Sequence, residues 1–156
     1  MKSIVLIVHN VRSAHNVGSI FRTAETAGVN EIYLTGYTPT PIDKFGKNRK
    51  DLAKTALGAE KTIPWKKFIK VGEAIKKLKK ENFFIIAVEQ SKNSIDYKKV
   101  KPKQKTAFIV GNEVRGLDRK VLSKCDAVAE IPMKGKKESL NVSVATGVTL
   151  FRILDI

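Results

Sequence analysis

The sequence predicts an α/β fold, a mostly parallel β-sheet with helices packed on both of its faces. Two observations carry that prediction. Apolar runs of strand length at residues 4–8, 83–88 and 107–110 show no polar alternation, the pattern of strands buried on both faces. Between such runs stand segments with apolar residues at helical spacing, the mark of helices that cover a sheet. The length of 156 residues suits one domain spanning 1–156. A domain of that size buries roughly 68–70% of its unfolded surface, enough for a core without disulfide or metal staples.

Taken in order, Ile4-Val-Leu-Ile-Val8 opens the chain as a buried strand. Val17, Ile20, Phe21, Ala24 and Ala27 then keep helical spacing, and Gly28 stands where that helix stops. Asn16 is placed to cap it with a side-chain oxygen. Residues 31–34 form a second strand, and the proline- and glycine-bearing stretch 35–47 a loop. A helix over 49–57 ends at Gly58, and 61–63 reads as a short edge strand before Pro64. Val71, Ala74, Ile75 and Leu78 mark a helix with lysines on its other face. Residues 83–88, 107–110 and 127–131 are strands, and a helix from about Asn141 to Leu154 closes the chain. The lysine-rich stretch 92–105 reads as a surface connection, and there is no internal repeat.

Thirty Lys and Arg face fifteen Asp and Glu, a formal net charge of +15. Such a field draws in polyanions, nucleic acid first and an anionic membrane surface second; a lysine-rich composition kept for solubility is the plain alternative. The single cysteine excludes an intramolecular disulfide, and Cys125 reads as a buried structural thiol. The first apolar run is too short for a signal-peptide core or a membrane span, so the expected compartment is the cytoplasm. His9 and His15 have no Cys or His partners at metal spacing, so no zinc site is expected. Trp65 and the phenylalanines read as packing residues rather than base-stacking platforms.

In open parallel sheets, ligands bind beyond the carboxyl ends of the strands. Three polar segments follow predicted strands. The first holds Asn16, Gly18 and Arg22, with Gly18 leaving room for a ligand or a neighbouring backbone and Arg22 offering a forked donor to phosphate. The second is Gly111-Asn-Glu-Val-Arg-Gly116. Its glycines have P-loop spacing, but Leu117-Asp118 replaces the Lys-Ser/Thr that binds phosphate and Mg²⁺, so a nucleoside triphosphatase is not expected. The third runs from Ile131 to Ser143, basic in its middle. Ser139, Asn141 and Ser143 sit at a helix N-terminus, more polar groups than capping alone requires.

Together these segments resemble the three motifs of the SpoU/TrmH branch of the SPOUT RNA methyltransferases. They are Asn16-x-Gly-x-Ile-x-Arg22, Phe108-Ile-Val-Gly-Asn-Glu-x-x-Gly116, and Ile131-Pro-Met followed by Ser139-Leu-Asn-Val-Ser143-x-Ala145. The resemblance spans essentially the whole chain and is closest to the minimal members, without an additional N-terminal RNA-binding domain. It implies the SPOUT α/β-knot fold, with a C-terminal deep trefoil knot, and a homodimer with the site near its interface. It implies S-adenosylmethionine as methyl donor and a ribose 2′-hydroxyl of tRNA or rRNA as acceptor, with no metal. By resemblance, Val88, Gly111, Ile131, Met133, Ser139 and Leu140 hold the cofactor, and Asn16, Arg22, Glu113, Ser139 and Asn141 form the catalytic set. Glu113 and Asn16 are expected to orient Arg22 or the substrate. Arg12, Arg49, Arg115, Lys134, Lys136 and Lys137, in or near the site loops, are the expected RNA contacts. A non-catalytic RNA-binding protein and a methyltransferase acting on a base nitrogen are the rival readings.

Overall fold

The computed structural model describes residues 1–156. Seven strands form one sheet: β1 (Ser3–His9), β2 (Glu31–Thr35), β3 (Trp65–Phe68), β4 (Phe84–Val88), β5 (Ile95–Asp96), β6 (Lys105–Val110) and β7 (Ala127–Glu130). Their order is β3-β2-β1-β6-β4-β7-β5, and every pairing is parallel. The helices are α1 (Ala14–Thr26), α2 (Lys50–Ala56), α3 (Ala59–Thr62), α4 (Val71–Lys80), α5 (Arg119–Leu122) and α6 (Val142–Leu154). None is long and apolar enough to cross a membrane.

The unbroken apolar runs are explained by two cores, one on each face of the sheet. Successive strand residues point to opposite faces. Ile4, Leu6 and Val8 of β1 therefore join one core with α1, α2 and α6, while Val5 and Ile7 join the other with α4 and α5. Strand β6 lies between β1 and β4, pairing Ala107 with both Val5 and Ile85, and Ile109 with both Ile7 and Ala87. That insertion sets the carboxyl ends of β4, β6 and β7 side by side, which is where the site forms.

Helix α1 is clamped between two others. Gly18 sits against α2 so closely that a Cβ there would overlap Thr55 Oγ1 and the Leu52 carbonyl oxygen. The room left by this glycine is thus filled by neighbouring backbone. On another side α1 runs parallel to α6, Asn16 bonding Asn141 and Thr23 lying beside Gly147.

Three sequence expectations need correction. Residues 61–63 are not a strand: α3 occupies Ala59–Thr62, and the paired strand lies beyond Pro64 at Trp65–Phe68. Ile63 is extended, as a residue before proline is pushed to be, so the helix stops there and pairing begins after the ring. The cap of α1 is Ser13, whose hydroxyl accepts from the Asn16 N–H at 3.1 Å, which places Asn16 inside the first turn with its amide free for other partners. The stretch 92–105 is more than a surface connection. It carries edge strand β5, a 3₁₀ turn at Tyr97–Lys99 and the buried Val100.

Gly18→Ala is expected to destabilise the protein by about 1–3 kcal/mol through overpacking against α2. Gly147→Ala in α6, whose Cβ would meet only Thr23 Cγ2 at 3.4 Å, is expected to be far milder. Urea unfolding of both variants checks the contrast.

Candidate functional site

A chain of side-chain hydrogen bonds joins the three polar segments. Glu113, on the loop after β6, accepts the backbone N–H groups of Arg12 and Ser13 at 3.2 Å each. These are free donors at the entry to α1, whose positive dipole end suits a carboxylate. The Asn16 amide donates to Glu113 at 3.5 Å, and Asn16 Oδ1 accepts from Asn141 Nδ2 at 3.1 Å. Asn141 in turn caps α6, accepting the N–H groups of Ser143 and Val144. Burial pushes the Glu113 pKa up, but hydrogen bonds from its own backbone, from Ser13 and Arg12, and from the Asn16 amide outweigh it. The net effect holds the carboxyl below its ordinary 4.5.

Beside this chain lies a cleft at the carboxyl ends of β4, β6 and β7. Val88, Gly111, Ile131, Met133, Ser139 and Leu140 all line it, as do Glu113 and Arg115. Its floor is the loop from Gly111 to Gly116, a tight turn closed by Gly116 N–H to Asn112 O at 2.9 Å and by Asn112 Oδ1 accepting the Val114 and Arg115 N–H groups. A Cβ on Gly111 would come within 2.7 Å of Gly116 and Leu117, so the glycine is needed for the turn itself.

Sequence reasoning missed Glu89 and Gln90, which line the same cleft. Glu89 accepts the Leu117 N–H at 2.9 Å and the Gln90 N–H at 2.8 Å, and Gly116 gives its carboxylate room. Gln90 Nε2 donates to the Glu138 carbonyl at 2.7 Å, tying the segment after β7 to the end of β4. The signal was available: both residues directly follow the apolar strand that ends at Val88.

The other expected residues are distributed unevenly. Asn16 and Asn141 do not line the cleft and stand one and two hydrogen bonds from Glu113. Arg22 lines no wall of it, is exposed, and makes no side-chain hydrogen bond. Within the single chain, Glu113 and Asn16 contact the N-terminus of α1 and Asn141 rather than Arg22. The Ser143 hydroxyl is bound to Asn141 Oδ1 at 2.5 Å; of Ser139, Asn141 and Ser143, only Ser139 lines the cleft. Arg12, Lys134, Lys136 and Lys137 are exposed around the site. Arg49 is partly buried and pairs with Asp51 at 3.4 Å. Cys125 is partly buried rather than fully so, and burial pushes its thiol up to about 11, as expected of an unreactive structural cysteine.

The profile of the SpoU rRNA Methylase family matches residues 3–151. The chain is 33% identical over 150 residues to the 23S rRNA (guanosine-2′-O-)-methyltransferase RlmB of Xylella fastidiosa (strain 9a5c), covering 96% of this chain and 57% of that protein. It thus spans little more than half the length of that relative. A crystal structure of the A. aeolicus TrmH/SpoU tRNA modifying enzyme superposes with a TM-score of 0.85 at 29% identity, covering 99% of this chain and 75% of that one. The AdoMet bound rRNA methyltransferase from Sinorhizobium meliloti superposes with a TM-score of 0.88 at 27% identity, covering 98% and 56%.

Glu113→Gln tests the hydrogen-bonded chain through pH. A carboxyl held below its ordinary pKa adds stability that is present above the unfolded value and lost as pH falls through the folded one. The wild type is therefore expected to exceed Glu113→Gln in stability at neutral pH, and the gap to close once the pH drops below 4.5. Urea midpoints across that range measure it.

Proposed function

The chain belongs to the SpoU rRNA methylase family, and from that premise we propose that it transfers a methyl group from S-adenosylmethionine to a ribose 2′-hydroxyl of tRNA or rRNA. One observation supports this above the others: loops from three separate strand ends converge on a single cleft, with Glu113, Asn16 and Asn141 linked beside it. We read residues 1–156 as one SPOUT domain working in the cytoplasm, its C-terminal part tied in a deep trefoil knot.

The lining fits a nucleoside-bearing sulfonium. Val88, Ile131, Met133 and Leu140 offer apolar walls for adenine, and the turn from Gly111 to Gly116 offers backbone groups to its edges. Glu89 and Glu113 put two carboxylates in the same cleft, a field that favours a cation. Bound there, S-adenosylmethionine supplies a methyl carbon already activated for transfer, so no metal is called for.

The protein's part is to position the acceptor hydroxyl and to support its oxygen as it loses a proton. Ser139, exposed at the rim, is placed to hold the ribose. Asn141 and Asn16 hold the rim in register with Glu113. Arg22 binds an RNA phosphate and stabilises the developing alkoxide; a guanidinium, with donors and no acceptor, serves better as such a donor than as a base. Arg12, Arg115, Lys134, Lys136 and Lys137 take further phosphates.

Helix α6 supports a homodimer. Val144 and Phe151, 49% and 37% exposed, form with Val148 a stripe at helical spacing on this largely apolar helix, and Leu140, 40% exposed, lies just before its cap. A helix of that kind is normally buried. Since Arg22 lines no wall of its own chain's cleft, pairing through this stripe is also what brings it to a site.

Incubation with total RNA and labelled S-adenosylmethionine, followed by nucleoside analysis, tests the reaction. A 2′-O-methyl nucleoside is expected; a base-methylated one overturns the ribose assignment, and RNA binding without cofactor binding in calorimetry overturns catalysis. Arg22→Ala is expected to slow single-turnover transfer on the order of 10²–10³-fold. Each lysine or arginine whose loss frees one phosphate should make the log-log salt slope of RNA binding shallower by about 0.7. Val144→Glu is expected to shift the protein toward monomer in analytical ultracentrifugation and to reduce activity with it.

A further inference from the structure

The turn after β2 holds an exposed aromatic ring in a rigid frame. Tyr37 is 56% exposed, and its hydroxyl accepts from Asn112 Nδ2 at 2.9 Å. Asn112 itself lines the cleft. The backbone on both sides of the ring is pinned. Lys67 Nζ donates to the carbonyl oxygens of Gly36 at 2.6 Å and Thr38 at 2.8 Å, bracketing Tyr37. The Tyr37 N–H donates to Asn10 Oδ1 at 3.1 Å. The buried Thr38 hydroxyl lies 2.9 Å from the carbonyl oxygens of both Val8 and Thr35 and accepts the Val11 N–H. Gly36 adopts a φ of 64°, and a Cβ there would overlap the Asn10 side chain.

An exposed ring gains nothing from the core, yet this one is braced by the Lys67 ammonium, an asparagine at positive φ and a buried threonine. Partial desolvation of its ammonium holds the Lys67 pKa below the ordinary value. Fixing the ring reduces the entropy lost when a planar partner settles on it. The exposed side chains of Arg12 and Arg115 flank the cleft on the segments that Asn112 and Glu113 connect, and the chain carries a net charge of +15. A planar partner on a polyanionic backbone is a nucleobase in single-stranded RNA.

We propose that Tyr37 is a stacking platform for an unpaired base of the RNA substrate, adjacent to the nucleotide that enters the cleft. The assignment rests on the RNA-methyltransferase reading above. It makes Tyr37 a substrate-binding residue that helps select the nucleotide context, and Asn112 the positioning residue that fixes the ring relative to the cleft.

The test compares the wild-type protein with Tyr37→Phe, Tyr37→Trp, Tyr37→Leu and Tyr37→Ala. RNA affinity is measured with short single-stranded oligoribonucleotides of mixed sequence and with total tRNA, and cofactor affinity by calorimetry. Phe and Trp are expected to stay within about threefold of wild type for RNA, while Leu and Ala lose roughly fivefold to a hundredfold, the span of one base–aromatic stack. Cofactor affinity stays unchanged in all four, which separates lost stacking from a damaged fold. Irradiation of wild type bound to RNA containing 4-thiouridine, mapped by mass spectrometry, is expected to place a crosslink on Tyr37. Leu binding RNA as well as wild type overturns the stacking assignment alone, and so does an equal loss in Phe and Leu, which would assign the role to the hydroxyl. Wild type that binds no RNA at all overturns the RNA reading and this proposal with it.

Discussion

The site depends on one carboxylate. Glu113 reaches across about a hundred positions of sequence to accept the N–H groups at the entry to α1, and Asn16 and Asn141 extend that contact to the cap of α6. Two helix N-termini and the loop after β6 are thereby held to one another through a short series of polar contacts. Without it, three loops from three strand ends would have no common reference. The charge is suited to the task, because helix N-termini present unpaired donors and a positive dipole end to whatever lies beyond them.

The sheet supplies the platform on which that series is built. Both faces are packed, so strands β1, β4 and β6 cannot slide without exposing one core or the other. The parallel arrangement brings every carboxyl end to the same side, and with β6, β4 and β7 adjacent the segments directly after Val88, Val110 and Glu130 become neighbours. Glycines set the distances within this arrangement. Gly18 lets α1 reach α2, and Gly111 lets its loop fold back on itself.

Much of this was legible in the linear chain. The buried strands announced themselves as unbroken apolar runs, and the six residues that the motifs single out for a cofactor come together in one cleft. What escaped notice has physical causes. Strand order follows from long-range pairing, which local pattern does not encode, so the placement of β6 between β1 and β4 was invisible. Ser13 and Asn16 are both good capping types three residues apart, and only the tertiary partner of Asn16 decides between them. Pro64 marked a boundary correctly, but the strand was expected before it and lies after it. Glu89 was overlooked because a lone acidic residue after a strand carries no motif. Tyr37 escaped because exposure of an aromatic ring is a property of the turn that holds it.

The insertion of β6 also governs how such a chain can be made. On a ribosome, β1, β2 and β3 emerge together and can pair at once, but β4 finds neither of its neighbours, since β6 and β7 both follow it. Until residues 105–130 leave the exit tunnel, the nascent protein carries an unpaired edge on β1 and a wholly unpaired apolar strand. Unpaired apolar edges invite association with other chains, and late non-local closure is slow. The central strand of the finished sheet is thus among its last parts to arrive, and the interval before it does is when this protein is most exposed to misassembly.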